Sequence, residues 1–425
     1  MTRLSHLPPV TPHVPNHGGH RALWRGPLFG RLSKAGQECL IRHGGFTFLE
    51  EEAPQDESSG RNARLHFVWP NKSGPQFDLT DSEAAHVRPY PKATTDILDD
   101  KLCLAQLLEG HDDIAPLSIQ DPTVLQDIHD ENQQDTLYFV KHRFGAQGKS
   151  VYVYNPQQLL QWWENACPSN RQDFVLQQEV QPALDEEGRK FVLRAHVLIL
   201  QRNDNDDCER IPPVQAFLHQ DIMSLSHAVP YPTKDEQQQQ QQQPNNKAAY
   251  ISQAGKKHPL PGLLSELPLS HPAACAQAQI QTCLEKLMAL AITSTTVDLY
   301  PSNPFQQPMA AATTCFQLLG VDLLVASKDN EATDDDENAV PTIKICEVNS
   351  HPALGWGTMS QVPSKVFRGL MEDTLSILFG IRRDDDDNQF IPLNIHWQSD
   401  EWYAHGHATF ANLSCIRHVL SCSSP

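Results

Sequence analysis

Phe316-Gln-Leu-Leu-Gly-Val-Asp-Leu-Leu-Val325 and Ile343-Lys-Ile-Cys-Glu-Val-Asn349 read as two strands, and the acids in them decide what fold surrounds them. The first run carries one carboxylate, Asp322, among Val and Leu, where an acid is expensive to bury without a partner. The second ends on Glu347 and Asn349, which at i and i+2 of a strand share a face. If the runs pair, with the acidic stretch between them as their connection, Asp322 reaches the same site. Two carboxylates and an amide oxygen suit Mg²⁺, a hard cation held by few protein oxygens plus waters and substrate phosphates. The competing reading is edge side chains that face water.

Upstream, Phe139-Val-Lys-His-Arg-Phe-Gly-Ala-Gln-Gly-Lys-Ser-Val-Tyr-Val-Tyr154 ends its glycine segment like a phosphate-binding P-loop. That reading fails twice. The first glycine such a loop requires would fall on Arg143, and a β-rich Val-Tyr-Val-Tyr run follows where a helix should open. The alternative is a strand, glycine loop and strand in which Gly145 and Gly148 let backbone N–H groups approach phosphate oxygens. Lys141, at the end of the first strand, would then face those phosphates. Alone, the segment reads equally as a surface hairpin with glycines for its turn.

Between these signals lie Phe174-Val-Leu-Gln-Gln-Glu-Val180 and Gly188-Arg-Lys-Phe-Val-Leu-Arg194. A free backbone edge on the first can read an adenine, with Gln177 or Gln178 adding side-chain contacts. In the second, Lys190 and Arg194 at i and i+4 of a strand share a face, which suits a polyphosphate or a developing acyl phosphate. Two ordinary exposed cations would give the same pattern.

Other elements follow from periodicity. Strands are expected at Leu65–Trp69, Leu137–Lys141, Ser150–Tyr154, Phe191–Gln201, Cys315–Ala326 and Thr342–Val348. Helices are expected at Asp99–Leu108, Gln157–Asn165, His271–Ile292 and Val362–Leu378. The tail from Ile391 to Pro425 shows no usable pattern. This mixture predicts an α+β architecture. Polar stretches at Glu51–Arg61, Lys234–Lys247 (with the unbroken run Gln237–Gln243) and Lys328–Asn338 lack the apolar residues that would offset the entropy of ordering, and read as disordered insertions.

With 425 residues and 39% apolar content, the chain is long enough for two or three packed lobes. No apolar run is long enough for a membrane helix. The first residues lack the apolar core of a secretory signal, and read as a basic arm or, less simply, an organelle transit segment. The ten cysteines show no zinc or disulfide spacing and read as reduced thiols in the cytosol. A net charge of −19 argues against nucleic acid as the main partner. Its acidic runs, such as Asp204–Glu209, Asp334–Glu337 and Asp384–Asp387, read as solvated loops.

The order of these motifs resembles the tubulin–tyrosine ligase-like family of the ATP-grasp superfamily. Lysine strand, glycine loop, Gln-rich strand, Lys-Phe-x-Leu-Arg, Gly-x-Asp and Glu-Val-Asn follow one another. Phe67-Val-Trp69 and Asp99-Asp-Lys-Leu-Cys-Leu104 extend the similarity upstream, and it runs from about Leu65 to Phe379.

The resemblance implies two α/β lobes clamping ATP. The expected layout is a partly disordered arm and loop over 1–64 and an N-terminal lobe over 65–135. The ATP-grasp region would cover 136–385, with a Gln-rich insertion at 234–247, and a tail 386–425. Lys101 and Lys141 are implied at the phosphates, Gly145 and Gly148 as their lid, and Gln177, Gln178 and Val180 at adenine. Lys190 and Arg194 would be the catalytic cations, and Asp322, Glu347 and Asn349 would hold Mg²⁺. The implied reaction uses ATP to join a free amino acid to a protein carboxylate through an acyl phosphate, with tubulin as acceptor, in the cytoplasm or on microtubules. No membrane or nucleic-acid partner is implied.

Three departures stand out. Val192 replaces the acid of the family's Lys-Phe-Asp-x-Arg, so Lys190 and Arg194 are expected to be freer and the cleft more positive. Ala216-Phe-Leu-His-Gln-Asp221 lacks the family's arginine, and Tyr250-Ile-Ser-Gln253 stands for His-x-Thr-Asn. These keep two alternatives open: an ATP-binding pseudoenzyme or protein-binding module, and a ligase acting on small molecules or peptides.

Overall fold

The computed structural model describes residues 92–119, 136–145, 150–167, 171–203, 213–233, 261–267, 273–293, 313–327, 342–350, 361–379 and 389–395. It also describes shorter pieces at 21–25, 47–48, 64–68, 87–90, 121–127, 247–251 and 304–306, and single residues 148, 236, 309 and 352. The Gln237–Gln243 tract, the Glu51–Arg61 stretch and the three acidic runs lie outside these residues.

The strands in chain order are β1 Arg21–Arg25, β2 Thr47–Phe48, β3 Arg64–Val68, β4 Val87–Pro89, β5 Ser118–Ile119, β6 Tyr138–His142, β7 Val151–Tyr154 and β8 Phe174–Gln178. They continue with β9 Phe191–Asn203, β10 Val214–His219, β11 Met223–Ser226, β12 Gly262–Leu263, β13 Thr313–Ala326, β14 Thr342–Asn349 and β15 Phe390–Pro392. They form two sheets. The large one runs β12-β11-β9-β13-β4-β3-β1-β2, with β14 also on β13, and β10 on β9 carrying β15. The small one runs β5-β8-β6-β7 and is antiparallel throughout.

β9 is the spine of the large sheet and is buried on both faces, which is why its sequence shows no alternation. Phe191, Leu193, Ala195, Val197 and Ile199 join the main core with Ile280, Leu284, Leu287 and Ala291 of the helix Ala273–Thr293. Leu198 and Leu200 pack instead with Val366, Phe367 and Leu370 of the helix Gln361–Phe379. Each fully buried Leu contributes about 1.5–3 kcal/mol, so this double burial fixes β9 and whatever its polar end presents.

The small sheet has its own core of Tyr138, Val140, Leu159 and Leu176. Leu159 belongs to the helix Pro156–Asn165, which starts sharply. Pro156 occupies its first turn, and Asn155 and Gln158 form a reciprocal capping box. The linker from β8 to β9 lies along the end of β13: Ala183 donates to Val325 O, and Ser327 donates to Gln181 O, each at 2.8 Å. The chain therefore steps from the small sheet to the large one beside β13 and β14, leaving a cleft between the sheets.

Expected elements sit within a few residues of their observed bounds, with exceptions. The helix expected to begin after Asp99 or Asp100 does so, at Lys101, where Asp100 caps it by accepting from Leu102 N–H. A separate helix, Lys92–Asp99, precedes it. Lys190 lies outside β9, in an isolated bridge to Leu184. The tail read as patternless contributes β15, and the stretch read as an arm contributes β1 and β2.

Candidate functional site

The β13–β14 pair carries a one-residue irregularity at the site. Asp322 opposes Glu347, but Leu323 opposes Ile345, so Cys346 is the extra residue of a β-bulge. The bulge resets the alternation. Ile343, Ile345 and Val348 enter the core, while Lys344, Cys346, Glu347 and Asn349 stay partly open. Gly320, opposite Asn349, admits no side chain: a Cβ there would lie 2.9 Å from the Cβ of Pro352.

Each acid is met by a cation. Arg194 reaches across from β9 with a two-pronged contact, Nε to Asp322 Oδ1 at 2.7 Å and NH2 to Oδ2 at 2.8 Å. Burial works against the Arg194 charge, but Asp322 overrides it and the guanidinium pKa is raised. Lys101 Nζ lies 2.9 Å from Glu347 Oε1 and donates to Gly145 O at 2.8 Å. Asp100 also pairs with Arg143 at the base of the glycine loop, so one helix start is tied to both the loop and β14.

Deeper in the cleft, Lys141 Nζ donates to Gln177 Oε1 at 2.7 Å and lies 3.4 Å from Cys346 Sγ. This contact bridges the two sheets. Lys190 is buried, with its ammonium 3.8 Å from Glu179 Oε1 and 5.0 Å above the Phe139 ring. Burial pushes the Lys190 pKa down against the pull of Glu179, and pushes the Glu179 carboxyl up against the pull of Lys190. Gln178, Glu179 and Val180 line a cleft of about 370 Å³ together with Leu117, Thr342 and Lys344.

The structure thus links Lys101 to Gly145 and Glu347, Arg194 to Asp322 across the ladder from Glu347, with Asn349 two residues further on, Lys141 to Gln177 and Cys346, and Lys190 to Glu179, while Glu179 together with Gln178 and Val180 lines the adjoining cleft. Among the described residues no group of three or more His, Cys, Asp and Glu assembles. The donors at the acid end are two carboxylates and an amide, all oxygen, which fits Mg²⁺ in kind.

The charge balance around Val192 needs correcting. The residue shares a face of β9 with Arg194 and is 7% exposed, yet neither Arg194 nor Lys190 is left free. Arg194 is held by Asp322 and Lys190 by Glu179, so the cleft is not the more positive one expected. Glu179 was overlooked because it is eleven residues from Lys190 and inside a Gln-rich run. Cys346 was overlooked because a bulge leaves no trace in composition.

Gly148 adopts φ +65°, and a Cβ there would run into the Ile251 side chain. Ile251 follows the short helix Lys247–Tyr250, whose Tyr250 ring meets Tyr231 edge-on at 5.6 Å. Gly148→Ala is therefore expected to cost about 1–3 kcal/mol and to loosen this packing on the glycine loop. Chemical denaturation reads the first effect; an unchanged midpoint would show that the turn tolerates a side chain.

A model described as the tubulin-tyrosine ligase family matches residues 86–387, a span that includes every residue of the site. A Caenorhabditis elegans protein named "Probable tubulin polyglutamylase ttll-9" is 24% identical over 227 residues, covering 52% of this chain and 47% of that protein. The match spans about half the length of that relative. Among solved structures, the C-terminal domain of K. lactis Pby1, described as an ATP-grasp enzyme interacting with the mRNA decapping enzyme Dcp2, superposes with a TM-score of 0.54. It is 15% identical, and the match covers 89% of this chain and all of that domain. The α+β fold is thus of the ATP-grasp type.

Proposed function

The chain belongs to the tubulin–tyrosine ligase family, and we propose that it is an ATP-dependent ligase that joins an amino acid to a carboxylate of a protein tail, with tubulin as the acceptor. Family and fold together support the ligase class. The observation that carries the reading is the contact network between the two sheets, in which four cations converge with three acids paired to them. No described helix is long and apolar enough to cross a membrane. A cytoplasmic site of action, on microtubules, belongs to the same proposal.

In this reading Gln178 and Val180 border the adenine, Lys141 and Lys101 take the phosphates, and Gly145 and Gly148 shape the loop above them. Asp322, Glu347 and Asn349 would hold Mg²⁺, which supplies charge neutralisation at the phosphates. Lys190 and Arg194 stabilise the charge that develops as the γ-phosphoryl group passes to the acceptor carboxylate. The amine of the incoming amino acid then displaces phosphate from the acyl phosphate. The protein supplies positioning and electrostatics, and no side-chain nucleophile is needed. The test is ADP release with labelled amino acids, glutamate first, in the presence and absence of tubulin. Release that no amino acid stimulates would count against ligation.

Lys141→Ala isolates the nucleotide step. Among the described residues its ammonium meets an amide oxygen, a thiol and the Phe139 ring rather than a carboxylate, so its removal strands no described acid. The fold should persist while ATP affinity falls about ten- to a hundredfold, the effect of roughly 1.5–3 kcal/mol. Calorimetric titration reads it, and unchanged affinity would remove Lys141 from the phosphates.

A further inference from the structure

We infer that Glu179 is the positioning residue for Lys190, the counter-ion that holds its ammonium in the cleft in place of the acid absent at position 192. The inference rests on the reading of the cleft as an ATP site. A buried ammonium keeps its charge only beside a compensating group. The described groups that face Lys190 are Phe139 and Lys141 of β6, Cys346 of β14 and Glu179 of the linker. Glu179 alone among them is a carboxylate. The Phe139 ring adds a cation–π contact, and Lys141 opposes the charge.

Glu179 is itself well anchored. Its backbone N–H donates to Leu137 O at 2.8 Å, and the groups facing its carboxyl are Lys190, Tyr231 and Tyr250. The side chain is 6% exposed, yet Oε1 has no hydrogen-bond partner, the Lys190 ammonium being 3.8 Å away. The pair is therefore close enough to share charge but is not closed by a hydrogen bond. That leaves Lys190 able to turn toward a polyphosphate without being released from its acid. Val192, two residues further along the chain, has no charge to offer. The carboxylate has in effect moved from β9 to the end of β8, where it also lines the cleft.

Without Glu179, burial of Lys190 loses its largest counterweight, leaving Cys346 and the Phe139 ring, and the pKa falls further. The cation is present below its pKa and lost above it, so its loss moves to lower pH. In Glu179→Gln, ATP affinity at neutral pH is expected to fall about tenfold, and its alkaline decline to begin at lower pH than in the wild type. Adding Val192→Asp to Glu179→Gln should move affinity and profile back, a rescue that a purely structural role for Glu179 does not produce. Calorimetric titration with Mg-ATP across a pH series reads both. If Glu179→Gln folds and binds ATP with the wild-type profile, or if the double variant is no better than the single, the inference is overturned. If Glu179→Gln does not fold, a folded, ATP-binding double variant supports the inference and an unfolded one overturns it. A wild-type protein that binds no ATP overturns the reading of the cleft as well.

Discussion

Glu347→Gln is expected to cut ADP formation by about a hundredfold or more while leaving the fold intact. Replacing groups that merely orient a metal ligand costs about 10–100-fold, and Glu347 is placed as a ligand itself. Gln keeps the size and one oxygen but loses the charge that offsets a divalent cation. Stability should change little because Glu347 is not a buried, obligatory partner: its side chain is 28% exposed, and Lys101 keeps its second contact to Gly145 O. The Mg²⁺ requirement should rise in parallel, so that a magnesium titration shifts to higher concentration. Normal ADP release by the variant, or release by the wild type that ignores Mg²⁺, would sink the metal assignment.

What was legible in the sequence follows from where physical cost is visible. Asp322 stood out because an acid in an apolar strand demands a partner, and the structure supplies Arg194. Glu347 and Asn349 stood out by strand spacing, and the Lys141 strand by the glycines after it. The Cys346 bulge was hidden, since a single extra residue changes the pairing without changing the residue types. β9 was legible as a strand but its faces were not, because cores on both sides erase the alternation. Strand spacing places Val192 on Arg194's face of β9, but Lys190 lies outside that strand, and the expected excess of positive charge is absent. Compensation came from Glu179, and no sequence pattern joins a linker residue to the strand end it faces. The helix Lys92–Asp99 escaped because its Thr94 and Thr95 pair reads as strand-prone. The strands β10 and β15 escaped because they are short and one emerges from an acidic run.

Arg194→Met is expected to destabilise the protein by about 3–5 kcal/mol, since it strands Asp322 in a largely buried site. The Arg194 and Asp322 side chains are 8% and 13% exposed, so water cannot replace the lost guanidinium. Glu347 sits directly across the ladder from Asp322, and its charge adds repulsion once Arg194 is gone. Combining Arg194→Met with Asp322→Asn should recover most of the stability, because the stranded charge is removed with its partner, but ADP formation should remain lost in both. Denaturant unfolding measures the first effect; a cost below about 1 kcal/mol for Arg194→Met would mean the pair behaves as a solvated one. The same variants test the metal without reference to turnover. A ligand that binds only the folded state stabilises it in proportion to its occupancy. Mg²⁺ should therefore raise the stability of Arg194→Met, where Asp322 has lost its cation, and do much less for the double variant, where no carboxylate remains at position 322. Equal stabilisation of the two would separate Asp322 from the metal and leave it solely the anchor of Arg194.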